Sequence, residues 1–208
     1  EIIQDTSYDE SEEEFKMKVN QSFNRLAEDK IRLALDELIP HITTSEREKK
    51  FVDIFVRKIS VEKRFVSNYV EFVIEISKSH PNITNNIIAR AIDKLVDYIL
   101  NPPNEKDELD CEVSIGYTTF VAVLISKGQI EDGERYLKFM IENIDNYIEP
   151  PLIEMLKSFV ISVGQTFIQY VDKKIFEKLE QLEQRNDIES KVHYLIVDTL
   201  KIINGKEE

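Results

Sequence analysis

A single cysteine, Cys111, stands in 208 residues, so no internal disulfide can form, which points to a reducing compartment and a cytoplasmic protein. Cys111 lies between Asp110 and Glu112. A reactive thiolate needs an electropositive setting, so Cys111 reads as a bystander. The five glycines lie singly; neither a phosphate-cradling glycine loop nor a Gly-x-Ser-x-Gly nucleophile elbow is present. The three histidines, His41, His80 and His193, are scattered and, like the lone cysteine, lack zinc-ligand spacing. The acidic stretch 104–112 lacks the glycine and the alternation of a calcium loop. Carboxylates are abundant, but as solvated helix faces they lack the burial that shifts catalytic pKa values. No enzyme, cofactor or metal is expected. No apolar run long enough to cross a membrane is visible, and the acidic start has no basic–apolar signal pattern. The chain opens on Glu1 rather than Met and reads as a piece cut from a longer protein.

Basic residues are also in the minority. The net charge is −13. Residues 1–14 hold seven acids and no base, which leaves −6 for the remainder. Nucleic-acid binding rests on phosphate contacts from a basic face, and no such cluster occurs, so direct RNA binding is expected to be weak or absent. A protein partner with a basic surface fits better.

What the sequence does hold is helical periodicity. From Phe51 to Ile59, apolar residues recur every three and four positions; Phe65, Tyr69, Phe72, Val73 and Ile76 repeat the pattern. These are two amphipathic helices meeting at a corner near Ser60–Val61, with Ser60 capping the second. Burial of each large apolar side chain is worth ~1.5–3 kcal/mol, and helices this short need such packing. Residues 1–11 read as an acidic mobile tail and 12–208 as one helical domain. A first helix carries Phe15, Val19 and Phe23 and breaks near Asn24–Ala27; a second ends at Pro40. Ser45-x-x-Glu48 has capping-box spacing, and Thr84 is the expected cap of a helix to Leu100. The break 101–104 leads into an acidic loop to Glu112. Val113–Ser126 is β-branched enough to suit a strand, but its fourteen residues in a helical context favour a central helix. Gly116 there marks close helix packing, and Gly128 ends the helix. Further helices follow over 130–143, from Pro151 to Gly164, after Asp172, and from Asp187 or Ser190 to Asn204–Gly205. About ten helices with short turns and no convincing strand make an all-α fold. Antiparallel pairs in sequence suggest a HEAT-like α-solenoid of about five helix pairs, at a period of ~40–47 residues.

Five segments in order then carry a family resemblance: Phe23–Asn24–Arg25–Leu26; Val61–Glu62–Lys63–Arg64–Phe65 running on to Tyr69; Ile115–Gly116 with Phe120; Leu156 to Gly164; and Ser190–Lys191–Val192–His193–Tyr194 to Leu200. Over roughly residues 12–204 this series resembles the middle domain of eukaryotic translation initiation factor 4G. It departs from that family at Lys63, where proline is usual, at Ala27 for threonine, and at Lys191 and His193 for two arginines. The loop over 101–112 is also shorter than in many members. The resemblance implies a scaffold that binds and stimulates a DEAD-box RNA helicase of the initiation factor 4A type, with other initiation factors as further partners. By position in the family, Phe23, Asn24 and Arg25 would face one helicase lobe, and Lys191 and His193 the other; Arg64, in the corner segment, joins the partner-binding set. Phe23 fits the core as well. The departures leave open a same-fold adaptor in messenger-RNA decay, surveillance or cap-binding complexes.

Overall fold

The first helix begins where the sequence supplies a reciprocal cap. In a computed structural model, which describes residues 11–144 and 148–206, the Ser11 hydroxyl accepts from the Glu14 amide at 3.2 Å. The Glu14 carboxylate in turn accepts from the Ser11 amide at 2.8 Å. Ser11 therefore belongs to the helix start rather than to the tail; the rest of the expected tail, residues 1–10, lies outside the described residues. Three acids in the first turn complement the helix dipole. This helix, α1, is Glu12–Asn24.

Nine more α-helices follow among the described residues, and no strand: α2 Ile31–Leu38, α3 Ser45–Val61, α4 Val66–Ser77, α5 Pro81–Leu100, α6 Glu108–Ser126, α7 Glu134–Ile144, α8 Pro150–Ile168, α9 Glu177–Glu183 and α10 Ser190–Ile203. The fold is all-α. Several boundaries differ from expectation for local reasons. Thr44, not Ser45, caps α3, accepting from the Arg47 amide at 3.2 Å. Ser60 caps nothing: its hydroxyl donates to the Arg57 carbonyl at 2.8 Å inside α3, and a 3-10 turn, Lys63–Phe65, makes the corner. Thr84 is buried within α5, which starts at Pro81, a residue suited to a first turn. Asp107 caps α6, so the helix takes in most of the expected acidic loop. Asp132 holds φ 52, which delays α7 to Glu134. Asp172 accepts from the Lys174 amide at 3.1 Å as expected, though the turn it starts is 3-10. Gly164, at φ 77 and ψ 163, breaks α8 four residues before its end.

The helices form two rows. α1 packs on α3, α3 on α5, α5 on α7 and α7 on α9; α2 packs on α4, α4 on α6, α6 on α8 and α8 on α10. Contacts of α1 with α2, α5 with α6, α7 with α8 and α9 with α10 tie the rows together. Between the rows runs a continuous apolar core. Its N-terminal part is aromatic: Phe23, Phe51, Phe55, Tyr69 and Phe72 lie ring to ring, with centroids 5.4–6.3 Å apart, and Phe120 of α6 reaches Phe55 at 6.1 Å. Aromatic pairs of this kind add ~0.5–1.5 kcal/mol each beyond the area they bury.

Two helices, α6 and α8, are long and apolar enough by length and composition to cross a membrane, where no such run was expected. Half of each apolar window is buried in the protein, because these two helices pack against each other in the middle of their row. On another side of α6 the packing is tight enough to require glycine: a Cβ on Gly116 would stand 2.2 Å from the Ser60 carbonyl oxygen of α3. Only glycine lets the two backbones meet, as the sequence suggested.

Candidate partner-binding rim

Stacking in two rows brings like ends of the helices together. The links 25–30, 62–65 and 101–107 lie along one rim, and polar contacts trace it. Lys58 Nζ, at the end of α3, donates to Asn24 Oδ1 at the end of α1 at 2.6 Å. Asn68 Nδ2 donates to the Leu26 carbonyl at 3.2 Å. Lys63 pairs with Glu112 in α6. Lys191, in the first turn of α10, pairs with Glu105 in the α5–α6 link and lies 3.8 Å from Glu154 in the first turns of α8. Residues near both ends of the sequence thus belong to one rim.

Of the six residues the resemblance singled out, four are exposed on this rim: Asn24, Arg25, Arg64 and Lys191. Arg25 is held along α1 by its Nε donating to the Gln21 carbonyl at 3.3 Å. Arg64 sits in the 3-10 turn. The Lys191 ammonium is held above its ordinary pKa chiefly by its hydrogen bond to Glu105. Phe23 must be removed from the contact set: it is 2% exposed and is the hub of the aromatic core, touching four other rings. His193 is half-buried, with Nε2 3.1 Å from the Glu183 carbonyl, so it ties α10 to the end of α9 rather than pointing outward.

Asn24 is braced by a short polar chain. Lys58 also pairs with Glu62 at 2.8 Å, and Glu62 accepts from the Tyr69 hydroxyl at 2.5 Å. Burial, then the Glu62 carboxylate, push the Tyr69 phenol above its ordinary pKa. The chain runs from the exposed amide to the aromatic core, so the rim at this point is fixed by the interior.

Sequence reasoning missed an apolar component. Phe65, four residues before Tyr69, fits the inward stripe by spacing, yet it is 54% exposed. The 3-10 turn winds at three residues per turn and swings it out of the α4 stripe. Val61 is exposed beside it, and Leu109, one turn before Glu112 on α6, is 72% exposed. The Lys63–Glu112 pair brings these elements together. The rim therefore carries apolar side chains among charges, the make-up of a protein-binding surface with a polar border.

Cys111 lies behind this rim. Its Sγ is 3.5 Å from the Asn104 carbonyl, and burial, followed by Glu154 and nearby aspartates, raises its pKa. That is the setting of an inert thiol. Among the described residues, no group of three or more histidine, cysteine or carboxylate side chains is arranged to hold a metal ion.

No model of a known protein family matches the chain, and no curated protein matches it.

Proposed function

We propose that this chain is a HEAT-like α-solenoid that serves as a non-catalytic, cytoplasmic scaffold in translation initiation. It binds and stimulates a DEAD-box RNA helicase of the initiation factor 4A type. The observation that carries this reading is the single rim on which Asn24, Arg25, Arg64 and Lys191 stand exposed, with Phe65 and Leu109 supplying apolar contact between them. The i to i+2 packing of the helices supports the solenoid reading, since it is the stacking pattern of repeat proteins.

A two-lobed motor cycles between open and closed arrangements. A scaffold touching both lobes shifts that balance only as far as it binds one arrangement more tightly. The two ends of the rim serve as the two contacts, and the rigid stack between them fixes their spacing. The acidic chain, at −13 overall, steers a basic partner toward it. The test is the helicase's RNA-dependent ATPase rate with and without this chain. A several-fold stimulation is expected, lost in Arg64→Glu and Lys191→Glu; no binding at about tens of micromolar and no stimulation would sink it.

A second reading, an adaptor in messenger-RNA decay, surveillance or cap-binding complexes, draws on the contacts of the divergent residues. Lys63 and Lys191 pair with Glu112 and Glu105, and His193 lies against a backbone carbonyl, so each altered position also has a partner within the chain. Pull-down of decay factors without the initiation helicase would favour it.

A further inference from the structure

On the face between α8 and α10, the break at Gly164 opens a groove of about 400 Å³, within the size range of built ligand sites. Val160, Ile161 and Ile202 supply its apolar part, and Lys157, Lys201 and Lys206 line it with ammonium groups. The one carboxylate lining it, Asp198, lies 3.1 Å from Lys157 and 3.8 Å from Lys201. Gln165 donates to the Ile202 carbonyl and braces the two helices beside the break. At the end of α10, Gly205 takes φ +68 and the Lys206 amide bonds back to the Lys201 carbonyl at 2.9 Å, which holds Lys206 on the same side as Lys201.

Three lysines against one aspartate is a local positive excess on a chain of net charge −13. Ile161, 56% exposed, offers apolar surface next to that charge. The lining, among the described residues, includes no aromatic ring and no arginine, the side chains on which bases stack. We infer that this groove binds an acidic peptide segment of a protein partner, a bulky apolar side chain resting on Ile161 and Ile202 while flanking carboxylates meet Lys201 and Lys206. The groove sits toward the end of α10 opposite Lys191, so the inference is independent of the rim.

The experiment is fluorescence polarisation with a labelled peptide, Glu-Asp-Leu-Phe-Asp-Glu-Leu, titrated with the whole chain at about 0.15 M salt. Binding is expected at roughly tens of micromolar and to weaken as salt rises. The double variant K201E/K206E should weaken it at least tenfold, and Ile161→Asp should weaken it comparably without touching a charge already present. All three side chains are exposed, and circular dichroism confirms that the variants stay helical. Lys49→Glu, on α3, should leave binding unchanged, as should Arg64→Glu and Lys191→Glu. Binding that survives K201E/K206E or Ile161→Asp overturns the proposal. So does an absence of binding at millimolar peptide, or a single-stranded RNA that binds this groove more tightly than the peptide does.

Discussion

Two side chains show how single positions hold the stack together. Gly116 faces the Ser60 backbone, and the Ser60 hydroxyl turns along its own helix toward Arg57, so nothing but backbone separates α3 from α6 there. In Gly116→Ala the new methyl has no flexible neighbour to push aside. The variant should lose about 1–3 kcal/mol or more, the cost of overpacking a close contact, read as a lower urea midpoint at little-changed slope. Wild-type stability would mean that the two helices can separate freely. Tyr69 makes a pH-dependent contribution. Its folded pKa is raised above the ordinary 10.0 by burial and by Glu62. The folded state therefore prefers the protonated phenol, and that stability is complete below about pH 10 and lost as pH climbs beyond it. Tyr98, half-buried and bonded to Asp110 at 2.5 Å, acts in the same direction. Tyr69→Phe should cost about 1.5–3 kcal/mol at neutral pH, since the acceptor is charged. It should also flatten the alkaline loss of stability, leaving Tyr98's share. Urea titrations at neutral and alkaline pH measure both.

At the scale of the element, Gly164 poses the converse problem. A Cβ there meets nothing within 4 Å, yet φ is +77, so any cost of Gly164→Ala comes from the backbone alone, about 1–3 kcal/mol for a conformation close to glycine-only. A thermal melt should fall accordingly, and an unchanged melt would show that α8 runs straight through this point. The glycine break was legible because a helix interior has few other uses for that residue, as were Gly128 and Gly205, both at positive φ. Caps were less so. Ser45 and Thr44, or Thr84 and Pro81, are one to three residues apart and comparably suited; the choice is made by how the helix seats against its neighbours, which no local window contains. The candidate site divides the same way. Motif order placed Asn24, Arg25, Arg64 and Lys191 on the surface, because polar residues between apolar stripes have nowhere else to go. It misplaced Phe23, whose period-four match to Phe15 and Val19 already marked it as core, and it missed Phe65, because the 3-10 turn that exposes it has no distinct sequence pattern.

At the scale of the molecule, the two-row arrangement makes stability depend on position along the stack. α6 and α8 have row neighbours on both sides, and α6 also meets α3 and α5 of the other row. α1 and α2 at one end, and α9 and α10 at the other, have a row neighbour on one side only, and α9 has just seven residues. In a stack whose members contact chiefly their neighbours, opening starts at the ends and costs less there. Amide hydrogen exchange under native conditions should therefore be slowest in α6 and α8 and quicken toward both termini, with α9 among the fastest. The rim contacts cross this gradient: Lys191 of the terminal α10 is tied to Glu105 in the middle. An exposed pair is worth little alone, so Glu105→Gln should leave the centre untouched and quicken exchange slightly in α10. Protection at one level through all ten helices would instead mean a single indivisible core, and the stack would then open all at once rather than from its ends.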